Sequence, residues 1–194
     1  MPRAKSFQKA DIAAAVLPHF WERGFGALSM DDLVKLTGIS RHALYNEVGG
    51  KQDLYISAFA AYQDSVVTPA FAAVEADGGL PSIRAYFETQ IRLAEETGLP
   101  GPGCLVGNAA TERAPHDPAI AILVDAHNNR LRNGFAHALE TGTHLTPNER
   151  GDLANYLTIS AQGLWAVSRT VTTAAPLYAF VETLMDLIEA RIER

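Results

Sequence analysis

The sequence predicts an all-α fold of about nine helices, a three-helix unit at the N-terminus followed by a larger helical body. Three observations carry that prediction. Apolar residues recur at three- and four-residue spacing along nearly every segment, and the alternation of a half-buried strand is absent. Helix-start signatures punctuate the chain at Ser29 with Asp32, at Ser40, at Asp117-Pro118 and at Thr146-Pro147. Glycine and proline gather mainly between these segments, as breakers should.

Taken in order, the first helix is expected from about Ser6 to Arg23, with Ile12, Ala15, Val16 and Phe20 on its apolar side and Gly24 ending it. Pro18 inside it removes a backbone donor and should kink it. Ser29 caps a second helix that runs to Thr37. Gly38-Ile39 makes a short turn, and Ser40 caps a third helix over about Arg41 to Asn46. Gly49-Gly50 breaks the chain before a long helix from Lys51 to Val74. Asp77-Gly78-Gly79 reads as a loop, and Pro81 falls in the first turn of a fifth helix ending near Gly98. The stretch from Gly98 to Gly103 is the most loop-like in the chain. A short helix from Cys104 to Arg113 follows, then longer ones from Pro118 to Glu140 and from Pro147 to Thr173. Pro176 opens the last, which carries the stripe Leu177, Phe180, Leu184, Leu187 and Ile188.

Two short helices joined by a glycine-bearing turn form a helix-turn-helix signature, and Leu33, Ile39 and Leu44 are spaced to fill the angle between them. The third helix then exposes Ser40, Arg41, His42, Tyr45 and Asn46. A short helix so rich in hydrogen-bonding groups fits the major groove of DNA, with its N-terminal residues at the base edges. Arg41 can pair with a guanine edge, and Asn46 or His42 with other bases. Tyr45, Ser40 and Lys51 suit phosphates. Helix-turn-helix units also occur as plain packing elements, so the geometry alone leaves both readings open.

The residues Gly24-Phe25, Leu28-Ser29-Met30, Thr37-Gly38-Ile39-Ser40, Leu44-Tyr45-Asn46, Gly50-Lys51 and Asp53-Leu54 resemble, in order and spacing, the tetracycline-repressor (TetR) family over residues 6–60. The resemblance implies a recognition helix from Ser40 to Asn46 and a phosphate contact by Lys51. Ser29, Ser40, Arg41, His42, Tyr45, Asn46 and Lys51 are therefore the candidate DNA contacts. The remainder is similar to the family's effector domain, with Gly103 to Asn108 and Ala114 to Pro118 resembling segments of one branch. That likeness implies a DNA-binding domain over 1–50 and a ligand-binding and dimerisation domain over 51–194. It also implies a homodimer through the last two helices, a palindromic operator and a small-molecule effector that releases a repressor. Five positions depart from the family pattern: Pro18 within the first helix is unusual, Glu47 stands where a polar or basic residue is usual, Val48 replaces Phe, and Val34 and Thr37 replace Ala.

The 194-residue chain carries a net charge of −6, which by itself argues against a nucleic-acid partner. Its distribution argues otherwise. Residues 1–54 hold seven Lys/Arg against six Asp/Glu, leaving −7 on the rest, and all four lysines lie at or before Lys51. No apolar run is long enough to span a membrane, no signal-peptide core follows the basic N-terminus, and a single cysteine fits a reducing compartment; a cytoplasmic location is expected.

In the C-terminal region Phe87, Cys104, His127, Phe135, Tyr156 and Trp165 are candidate ligand contacts, because small-molecule pockets need aromatic walls with a few polar groups. Cys104 admits two readings. A helix N-terminus lowers a thiol pKa and favours a reactive thiolate, yet free cysteine is often a buried small hydrophobe. His127 and His137 fall on different helical faces, and His116 with Asp117 lacks a ligand spacing, so no metal is expected. No nucleophile elbow, phosphate loop or dinucleotide fingerprint is present, so neither an enzyme nor a cofactor is expected. The competing class is a helical small-molecule-binding or scaffold protein that has lost sequence-specific DNA binding, a reading that Glu47 keeps open.

Overall fold

A computed structural model describes residues 8–76 and 78–193. Its elements are α1 (Lys9–Arg23), α2 (Met30–Thr37), α3 (Arg41–Glu47), α4 (Lys51–Tyr62), α5 (Thr68–Glu75), α6 (Gly79–Thr97), α7 (Leu105–Glu112), α8 (Pro118–Glu140), α9 (Pro147–Val167) and α10 (Ala175–Ile192). A π turn at Gln63–Val67 fuses α4 and α5 into one rod, so the described residues form nine helical rods and no strand. A 3₁₀ turn at Ala114–His116 links α7 to α8.

The N-terminal unit is built from local rules. Ser29 caps α2 by accepting from the Asp32 amide at 3.1 Å while Asp32 accepts from the Ser29 amide at 2.9 Å, a reciprocal capping box. Gly38 ends α2 with φ +68°, a left-handed conformation that costs other residues free energy. Thr37 supports the same turn: its hydroxyl donates to the Leu33 carbonyl at 2.7 Å and accepts from the Ile39 amide at 3.2 Å. Leu33, Ile39 and Leu44 are buried as the spacing requires. Pro18 is accommodated inside α1 with its ring exposed.

α1 packs along α4, α2 rests on α1, and α3 packs on α2. The apolar core continues without a break into the body, where α8 packs against α5, α6, α7 and α9, and α10 covers α6. Phe87 stacks on Phe135 at 5.9 Å in its centre, both fully buried. Asp117 caps α8 through the Ala119 amide, and Thr146 with Glu149 forms a second capping box at α9.

Three expectations shift. The first helix begins at Lys9 among the described residues; Ser6 and Phe7 lie outside them, as does Asp77 of the expected loop. The long helix carries the π turn. α9 stops at Val167 rather than Thr173, for a visible reason. The Ser168 carbonyl accepts from the Gly101 amide at 3.2 Å, and the β-branched run from Thr170 to Thr173 is poor helix material.

Candidate functional site

α3 is a seven-residue helix whose outward face carries nearly all its polarity. Ser40 caps it by accepting from the Ala43 amide at 3.2 Å. Arg41, His42, Tyr45, Asn46 and Glu47 are all exposed, while Leu44 points into the core. Arg41 pairs with Asp31 of α2, which raises its pKa, and Asn46 lies 2.8 Å from the His42 ring. Glu47 forms no ion pair with Arg41 or Lys51 among the described residues. Ser29 caps α2 and is exposed beside α3. Lys51 is half-buried at the start of α4, its Nζ 4.1 Å from the Phe25 ring centroid, and burial lowers its pKa.

Phe25 marks the junction with the body. The Arg113 guanidinium also lies over its ring, at 4.2 Å. The Glu112 carboxylate at the end of α7 accepts from the Phe25 and Gly26 amides at 2.9 and 2.6 Å. Arg113 and Gln52 both donate to Asp117, at 2.7 and 2.6 Å, and that anion's pKa falls under their pull.

Behind this junction lies a cavity of about 390 Å³ bounded by α1, the π turn, α6, the Gly101–Cys104 segment, α8 and α9. Aromatic rings form much of its wall. Trp21 meets Tyr62 edge-on at 5.0 Å and donates its indole N–H to the Gly103 carbonyl at 2.8 Å. Phe71 lies between His127 at 5.1 Å and Tyr86 at 6.0 Å. The Trp165 indole N–H faces the Tyr86 hydroxyl. Desolvation pushes the His127 pKa down to about 4, assisted by nearby Arg130, so the ring is neutral near pH 7.

Three of the six residues singled out for ligand contact line this cavity: Cys104, His127 and Trp165. Three do not. Phe87 and Phe135 are spent on the core, and Tyr156 is 44% exposed on the outer side of α9. Cys104 is buried at the N-terminal end of α7. Burial pushes its thiol pKa up, and the Gly107 amide and Tyr62 hydroxyl offset this only in part. Trp21, Tyr62 and Tyr86 were not singled out by the sequence. No spacing flags them, since the elements that carry them meet only in three dimensions. Among the described residues no cluster of three potential ligands could hold a metal.

Comparison with known proteins agrees with this geometry. The family described as "Bacterial regulatory proteins, tetR family" matches residues 11–58, which spans most of α1, all of α2 and α3, and most of α4. The chain is 26% identical over 200 residues to the uncharacterized HTH-type transcriptional regulator YezE of Bacillus subtilis, covering 97% of this chain and 100% of that one. Among solved structures, a TetR-family regulator from Cytophaga hutchinsonii superposes with a TM-score of 0.80 at 19% identity, covering 96% and 98% of the two chains. A cysteine mutant of the TetR-family regulator CifR, complexed with 26 bp double-strand operator DNA, superposes with a TM-score of 0.74 at 22% identity, covering 96% and 98%. No helix among the described residues is long and apolar enough to cross a membrane.

Proposed function

This chain belongs to the tetR family of bacterial regulatory proteins, and from that premise we propose that it is a ligand-released repressor that binds a palindromic operator as a homodimer. The observation that carries the reading is α3. Its polar side chains face solvent together on a helix anchored by Leu33, Ile39 and Leu44. Residues 1–50 form the reading head, and residues 51–194 the sensing and dimerising body. In a twofold dimer two copies of α3 enter successive major grooves, roughly one helical turn of DNA apart. Arg41 reads a base, exchanging its surface pair with Asp31 for a guanine edge. His42 and Asn46 read neighbouring bases, and Ser29, Ser40, Tyr45 and Lys51 fix the register on phosphates.

Dimerisation through α9 and α10 is supported by what they leave uncovered. Tyr156, Ile159 and Val167 follow helical spacing along one side of α9, with Gly163 between them in open space. Phe180 and Leu187 do the same on α10. Pairing these faces in a four-helix arrangement removes that apolar surface from water. The effector enters the 390 Å³ cavity and favours a conformation in which the two heads no longer match the operator.

Selection of sequences from a random duplex pool by the purified chain tests the reading. The expected result is an enriched inverted repeat. A folded dimer that enriches nothing at low salt would leave the ligand-binding or scaffold reading in its place.

A further inference from the structure

We infer that the cavity takes an uncharged small molecule, with an apolar body and a carbonyl-type oxygen that accepts a hydrogen bond from His127. This deepens the sensing role proposed above and rests on it.

The first argument is charge. Apart from His127, every residue lining the cavity is formally neutral. An ionised ligand would leave water for a wall with no counter-charge, a strongly unfavourable transfer. The neighbouring cations are committed elsewhere. Arg130 donates to both Glu75 oxygens at 2.6 and 2.9 Å and to Thr68 at 3.0 Å. Arg169 donates to the Pro102 carbonyl at 2.8 Å and borders an adjoining cleft that shares Cys104, Gln162 and Trp165 with the cavity.

The second argument is the placing of donors. The Gln63 amide nitrogen, on the π turn, sits 3.3 Å from His127 Nδ1. With the Gln63 amide nitrogen donating to Nδ1, a neutral His127 carries its proton on Nε2. The Trp165 indole N–H lies beside the Tyr86 hydroxyl. His127 and Tyr86 both pack against Phe71, and both are more than nine-tenths buried. Donors held beside an aromatic wall select an acceptor oxygen on an otherwise apolar molecule. At about 30 Å³ per non-hydrogen atom, the cavity holds on the order of a dozen such atoms.

The only two tryptophans of the chain, Trp21 and Trp165, line the cavity, so intrinsic fluorescence reports its occupancy. Four probes of one skeleton test the inference on the full chain near pH 7: methyl 3-phenylpropanoate, 3-phenylpropanoate, 3-phenylpropylammonium and propylbenzene. The ester is expected to bind about 100-fold more tightly than either ion and about tenfold more tightly than the hydrocarbon. In His127→Leu the ester should fall to the affinity of propylbenzene, whose own binding stays the same. Either ion binding as tightly as the ester overturns the inference, as does no response to any probe up to its solubility. The ranking of probes by the unmodified chain stands even if His127→Leu does not fold. Retention of the unliganded chain on duplex DNA separates the two failures. A chain that binds DNA but ranks the probes otherwise loses the ligand class and keeps the regulator reading. A chain that ranks them as stated but does not bind DNA loses only the regulator.

Discussion

The outward face of α3 and the wall of the cavity are made in opposite ways. α3 sets Arg41, His42, Tyr45, Asn46 and Glu47 outward within seven residues, on a helix too short to stand without the apolar contacts beneath it. The cavity gathers neutral and aromatic side chains from segments as far apart as Trp21 and Trp165. A surface that reads DNA keeps its charges in water, where they remain free to exchange partners. A cavity that holds an apolar molecule must exclude charge altogether, and it draws rigidity from the core behind it.

That contrast breaks most severely where the cavity loses its backing. Phe87→Ala deletes a fully buried ring packed against Tyr86 at 5.1 Å and Phe135 at 5.9 Å. The expected cost is about 3–5 kcal/mol, read as a lower midpoint in urea unfolding. A loss near zero would show that the cavity stands without this support.

The next effect is a pH dependence belonging to His127 alone. Its folded pKa of about 4 lies below the ordinary value of 6.5 because burial and Arg130 oppose protonation. Above pH 6.5 the ring is neutral in both states. As pH falls from 6.5 towards 4 the unfolded chain takes up a proton that the folded chain refuses, so stability is lost across that window. The loss is about 3 kcal/mol in all. Urea midpoints at pH 7 and pH 5 should diverge more for the unmodified chain than for His127→Gln; equal divergence would assign the effect to other groups.

On the α3 side, Arg41→Ala should weaken operator binding by about 1–3 kcal/mol while leaving binding to random duplex nearly intact. Equal losses on both, with a shallower salt dependence, would make Arg41 a phosphate contact instead. The smallest effect expected is that of Tyr156→Ser. Because Tyr156 faces outward from α9, the affinity for methyl 3-phenylpropanoate should not change, and a tenfold fall would bring that residue into the site.

The same contrast explains what could be read from the sequence. Helix ends were legible because Ser29 with Asp32, Gly38, Ser40, Asp117 and Thr146 each act on backbone groups within a few residues. The exposed set on α3 was legible because Leu33, Ile39 and Leu44 fix which side is buried. The cavity was only partly so. Tyr86 and Phe87 are adjacent, yet one borders the cavity and the other fills the core, a choice that composition does not contain. Tyr156 and Trp165 are nine residues apart, which at 3.6 residues per turn places them on opposite sides of α9; helix arithmetic could have separated them. The π turn leaves no such trace, since it falls where α4, packed on α1, passes into α5, packed on α6 and α8.

Trp21 borders the cavity, whereas Phe20, its neighbour on α1, is buried against Tyr55 at 5.1 Å and Phe25 at 6.3 Å in the core beneath the helix-turn-helix. One peptide bond separates the two. A molecule in the cavity thus touches a side chain whose backbone is already part of the DNA-reading unit. The shortest route between the two regions is one residue long and crosses no hinge and no interface. On the proposed reading, a ligand that shifts the Trp21 indole would act on the same helix that α2 rests on.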